Sequence, residues 1–223
     1  MAQFKPHTFE YARGKTMPYR LFEPKQKPGT KYPLVIFLHG AGGRGKDNKK
    51  QIHDVIVGPC VWALPANQAK HPCFVLAPQS SGAWAWSGRM VPVAKSLIDK
   101  IVRDNPVDAS RIYLTGLSMG GYGTWSLLAA YPDFFAAGLP VCGKGDPSKA
   151  PALVKHKVAV WAFHGAKDRL VSADGSRDMI AAIRKAGGKP KYTEYPDVGH
   201  NSWEGAYTDP NLVEWTFAQR RDK

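Results

Sequence analysis

Short apolar runs bounded by Gly, Pro or Asn alternate along the chain with segments in which apolar positions recur every three to four residues. The first period belongs to strands buried on both faces and the second to amphipathic helices. Leu34–Leu38 is the clearest run, and Cys73–Ala77, Arg111–Thr115, Ala137–Val141, Val158–Phe163 and Lys191–Tyr195 share its texture. Between and after them, Asn48–Val57, Val91–Arg103, Met119–Ala130, Ser172–Ala186 and Asn211–Arg221 carry the helical period, with Pro92 in a first turn and Gly187-Gly188 as a stop. Before them, His7–Tyr11 and Tyr19–Phe22 flank Arg13-Gly14-Lys15 as an antiparallel hairpin, followed by a Pro/Lys/Gly linker over Pro24–Lys31. This alternation predicts one α/β domain over residues 1–223: a doubly wound, mainly parallel sheet flanked by helices, with the hairpin as its edge. In such sheets the functional loops stand at the carboxyl ends of the strands.

One strand end reads Gly116-Leu117-Ser118-Met119-Gly120 and runs straight into a helical segment. A serine on so tight a turn projects its hydroxyl clear of the backbone, and the flanking glycines leave room for the crossing. Serine needs a base, and the base needs an acid to orient it. Asp168 stands just past the strand Val158–Phe163, and His200 just past Lys191–Tyr195, so the order is Ser118, Asp168, His200. Asp146 is the alternative acid, whereas Asp174 and Asp178 fall on the next helix. His39 and His164 each precede a glycine at a strand end and read as loop-ordering histidines. An oxyanion requires backbone N–H donors. Met119 supplies one, and the glycine-rich loop His39–Gly45 supplies the other, from Ala41 or alternatively Gly42. The loop matches neither phosphate-binding glycine pattern, which argues against a nucleotide site.

These residues resemble the α/β-hydrolase esterases over essentially the whole length, nearest to small bacterial carboxylesterases and feruloyl- or polysaccharide-type esterases, some described as peptidases. The resemblance rests on His39-Gly40-Ala41-Gly42 with Arg44-Gly45 and Asp47-Asn48, on Gly116–Gly121, on Cys142–Asp146, and on Gly199-His200-Asn201-Ser202-Trp203. It implies a serine esterase with no metal and no cofactor, acting on small-molecule or polysaccharide-linked esters. An amidase or peptidase with the same triad, and a binding protein retaining the fold, are the alternatives. Many members carry an acidic residue where this chain has Gly43, so the ion pair it would make is missing and a looser loop is expected. Only sixteen residues, Cys142–Lys157, separate two strands where lipases insert a cap, so no large lid is expected. Gln79, Trp84 and Trp86 after the strand Cys73–Ala77, together with Trp203, are the candidate substrate-binding side chains.

Charge adds one further question. The 223 residues carry a formal net charge of +13, and residues 1–50 hold eleven basic against three acidic side chains. No long basic run, zinc-finger spacing or aromatic interleaving accompanies the excess, so nucleic acid is not the expected partner. Arg44, Lys46, Lys49 and Lys50 instead fall on or beside the oxyanion loop, where a positive rim favours anionic esters. Cys60, Cys73 and Cys142 have no metal-type spacing and read as free thiols, with a Cys60–Cys73 bridge as the alternative. Met1–Pro6 has no apolar signal-peptide run and no stretch is long and apolar enough to span a bilayer. The expectation is a soluble protein without membrane insertion, cytoplasmic as written, or secreted or periplasmic if an export signal was removed.

Overall fold

The computed structural model describes residues 4–53, 57–82 and 86–221. Eight strands form one sheet: β1 (Lys5–Ala12), β2 (Lys15–Phe22), β3 (Tyr32–Leu38), β4 (Phe74–Pro78), β5 (Val107–Leu117), β6 (Ala137–Val141), β7 (Ala159–Gly165) and β8 (Lys191–Tyr195). Their spatial order is β1-β2-β4-β3-β5-β6-β7-β8. The hairpin β1–β2 and the β2–β4 pair are antiparallel, and every other neighbouring pair is parallel. This is the expected α/β-hydrolase architecture with its N-terminal antiparallel edge.

Each central strand divides its side chains between two cores. Leu34, Ile36 and Leu38 of β3, with Phe74 and Leu76 of β4 and Ile112 and Leu114 of β5, face one cluster. Val35, Phe37, Val75, Ala77, Tyr113 and Leu117 face the other. All seven β3 residues are therefore buried, which is why the run is continuously apolar rather than alternating.

The helices are α1 (Lys50–His53), α2 (Val57–Cys60), α3 (Pro65–Lys70), α4 (Met90–Asp104), α5 (Met119–Ala130), α6 (Ala150–Lys155), α7 (Asp174–Lys185), α8 (Trp203–Thr208) and α9 (Leu212–Ala218). Side chains of α4, α5, α6 and α7 fill the first core. Those of α8, α9 and the Val57–Ala63 segment fill the second. Of the Asn48–Val57 helical expectation, Lys50–His53 is helical as α1 and Val57 opens α2, residues 54–56 lie outside the described residues, and the last helix stops at Ala218 instead of Arg221. Between β6 and β7 the chain forms α6, whose Ala150 and Leu153 are buried, so this connection is part of the core and not a cap. The three cysteines are free thiols. No helix among the described residues is long and apolar enough to cross a membrane.

The order β4-β3-β5 is the switch point: from β3 the chain runs first to one neighbour and later to the other. β3 pairs with β5 up to Leu38 opposite Gly116, so the loops leaving both strands emerge side by side.

Candidate active site

At that switch point Ser118 links β5 to α5 with φ +52° and ψ −117°, a backbone conformation an L-residue rarely adopts. Its N–H is held by the Val141 carbonyl at 2.9 Å and by Cys142 Sγ at 3.3 Å. The turn also depends on Gly120, because a Cβ there would stand 1.9 Å from the carbonyl oxygen of Leu38. The first turn of α5 is thus pressed against the end of β3. Met119 is the first residue of α5, where helix geometry offers its N–H no intrahelical partner.

Ser118 Oγ lies 2.8 Å from Nε2 of His200, and Nδ1 of His200 lies 2.7 Å from Oδ2 of Asp168. A carboxylate accepts only, so Nδ1 carries the proton and Nε2 is left to accept the serine hydroxyl. Asp168 Oδ1 accepts the N–H groups of Leu170 and Val171, both at 2.9 Å. Burial alone pushes this carboxyl up, but the bonds from Val171, His200 and Leu170 outweigh it and hold Asp168 below the usual carboxylate range. The two loops that bear these residues touch through backbone: Ala166 N–H donates to Tyr195 O at 2.9 Å and Lys167 N–H to Val198 O at 3.0 Å. Gly165 permits the contact, since a Cβ there would lie 2.1 Å from the Gly199 carbonyl oxygen.

The chain matches the model of the dienelactone hydrolase family over residues 17–204. It belongs to that family. Among solved structures it superposes on a thermostable esterase with a TM-score of 0.92 and 40% identity, covering 98% of this chain and 63% of that one. It is 41% identical over 126 residues to poly(3-hydroxyalkanoate) depolymerase C of Paucimonas lemoignei, a match to 50% of this chain and 28% of the depolymerase. It is 26% identical over 178 residues to the probable feruloyl esterase C of Aspergillus niger, covering 78% of this chain and 63% of the relative. The chain therefore spans less than two thirds of each of these three proteins.

Within this family member the loop after β3 makes a short turn over Ala41–Gly43, with Ala41 and Gly42 exposed. His39 is buried beneath it. Ser80 N–H donates to its Nε2 at 3.1 Å, so Nδ1 carries the proton and donates to Gly40 O at 2.6 Å. Burial pushes His39 down to about 4, against the pull of the Gly40 carbonyl, while the Arg44 charge adds to the lowering. The ion pair that Gly43 cannot make has other bonds beside it. Arg44 Nε donates to Ala41 O at 2.8 Å, and Gln79 Nε2 donates to Gly43 O at 3.1 Å and to Asp47 Oδ1 at 3.0 Å. Gln79 Oε1 accepts Asn48 N–H at 2.7 Å.

Gln79 thus differs from its expected place in the cleft. It is 1% exposed and its amide is spent bracing the loop. Trp86 differs likewise: it is 1% exposed, donates its indole N–H to His39 O at 3.0 Å and lies against the backbone of Gly123, so it presents no free face for stacking. Trp203 is half-buried and stands edge-on to the His200 ring at 5.4 Å. Trp84 lies outside the described residues. Asp146, the alternative acid, is an exposed cap whose Oδ1 accepts Ser148 N–H at 3.0 Å. Among the described residues no three His, Cys, Asp or Glu side chains gather so as to hold a metal ion. Two features were not read from the sequence: the thiol of Cys142 against the Ser118 amide, and the contact of His164 with Asp168. The spacing of His164 four residues before the acid was the available signal for the second.

Proposed function

We propose that the chain is a serine-dependent carboxylic ester hydrolase working through an acyl-enzyme. The observation that carries this reading is the unbroken hydrogen-bonded series Asp168–His200–Ser118 ending on a strained turn. Ser118 Oγ attacks the ester carbonyl while His200 takes its proton, and Asp168 holds the imidazole and stabilises its positive charge. The backbone N–H of Met119, with that of Ala41 or Gly42, stabilises the oxyanion; one such donor is worth about 3 kcal/mol in the transition state. His200 then returns the proton to the leaving alcohol, and water attacks the acyl-Ser118 by the same route.

Short acyl, aromatic or carbohydrate-linked esters are the proposed substrates. The feruloyl esterase and polyester depolymerase among the relatives support this class. So does the use of the β6–β7 connection as core, which leaves it unavailable as a cover for long acyl chains. Ser118→Ala should lower kcat on a short p-nitrophenyl ester by about 10⁴-fold or more with the fold retained. Turnover surviving in a folded S118A protein would refute the mechanism, and a strong preference for a matched amide over the ester would assign the triad to peptide-like substrates.

A further inference from the structure

Asp168 Oδ2 has a second neighbour besides His200. Nε2 of His164 lies 3.3 Å from it and 2.9 Å from the carbonyl oxygen of Val171. Both neighbours are acceptors, so this nitrogen carries a proton in every ionisation state. On the other side of the ring, Nδ1 is 2.7 Å from Ser176 Oγ, whose single hydroxyl hydrogen can go to Nδ1 or to the Gly143 carbonyl at 3.2 Å; a neutral ring requires the shorter of the two, with Ser176 donating to Nδ1. His164 and Ser176 are both fully buried, and so is the carboxylate of Asp168. Val171 is also the residue whose N–H holds Asp168 Oδ1. One enclosed imidazole therefore donates to the carbonyl of Val171, the residue whose N–H fixes one carboxylate oxygen, and stands 3.3 Å from the other oxygen, the one that faces His200.

We propose that His164 is a positioning residue for the triad acid: a neutral imidazole, locked with its proton on Nε2, that fixes Asp168 against His200 and draws charge from the shared oxygen. This rests on the reading of Asp168 as the triad acid. Neutrality is essential to the role, because a cation at this distance would cancel the carboxylate charge that stabilises the His200 imidazolium. The surroundings favour it. Burial lowers the His164 pKa against the pull of the Val171 carbonyl and the Asp168 charge. Glu194, opposite His164 on β8, is engaged by Arg177 and Tyr192, which limits its pull. Tyr122 and Cys142, which also face Asp168, are both pushed towards their neutral forms by burial.

Two variants separate the N–H from mere packing. His164→Leu fills the space without a donor, whereas His164→Gln restores one near the position of Nε2. Removing the donor concentrates charge on Oδ2 and strengthens its hold on the protonated base. H164L should therefore move the acidic limb of the kcat/KM profile up by about 0.5 pH unit. It should also lower kcat about tenfold with little change in KM, since His164 touches no substrate. H164Q should recover the wild-type limb. A folded H164L with the wild-type limb and kcat, or an H164Q displaced as far as H164L, would overturn the proposal.

Should the variants fail to fold, nitrogen-15 NMR of the unmodified protein decides. At pH 7 and above, the His164 ring should show a protonated Nε2 and a bare Nδ1. A proton on Nδ1 in that range would overturn the assignment. This readout needs no turnover, so it stands apart from the S118A test of the hydrolase reading.

Discussion

At the scale of single residues, two buried histidines have tautomers dictated by their neighbours. His39 accepts from Ser80 and donates to Gly40, and His164 faces two acceptors. His39 has a consequence for stability. Its ordinary pKa in the unfolded chain is 6.5 and burial takes it to about 4 in the folded protein. Between these values the unfolded chain binds more protons, so stability rises with pH and falls on acidification. His39 should cost the fold on the order of 3 kcal/mol as pH drops from about 6.5 to about 4. Urea unfolding across that window should show a shallower pH dependence for His39→Gln than for wild type. Parallel slopes would mean that His39 does not carry this proton linkage. His164 shifts in the same direction, so H39Q should flatten the dependence without abolishing it.

At the scale of elements, the geometry depends on how closely α5 approaches the end of β3. Gly120 is the sharpest constraint: an added methyl would lie 1.9 Å from Leu38 O and 2.9 Å from His39 O, both backbone atoms that cannot rotate aside. Gly120→Ala should cost about 3 kcal/mol, at the upper end for overpacking, and lower Tm by roughly 6–12 °C. Thermal unfolding measures it, and a Tm within about 2 °C of wild type would show that the helix shifts freely. The sequence marks this contact through its glycines, and the apolar runs locate every central strand to within a few residues. It is silent on α3, α6 and α8, which are each six residues long. A helix of under two turns has too few positions to display a period, and its formation follows from packing on the sheet.

At the scale of the whole molecule, a share of the +13 charge gathers on one loop. Arg44, Lys46, Lys49 and Lys50 are all exposed around the loop after β3. The one acid among them, Asp47, is bound by Lys50 N–H, the Gln79 amide and Lys49 N–H, which hold its carboxyl down at about 2. A net positive rim on the loop after β3 should steer anionic esters. Raising ionic strength from about 0.02 M to about 0.3 M should lower kcat/KM for an anionic ester several-fold and leave a neutral isostere unchanged. Equal salt responses for the two would remove the steering role.

The primary sequence by itself determined the strand and helix alternation, the tight turn at Ser118 and the strand-end placement of Asp168 and His200. Those features are written in local patterns: apolar runs, glycine spacing and position relative to a strand. Tertiary structure alone decided what Gln79, Trp86 and His164 touch. Gln79 and Trp86 follow β4 and His164 closes β7, and each meets a partner on another loop or element: Gly43, His39 O and Ser176. A polar or aromatic residue at a strand end has the same local signature whether it faces substrate or braces the loop beside it. Which of the two it does is set by the strand order, and that order depends on contacts between residues far apart in the chain.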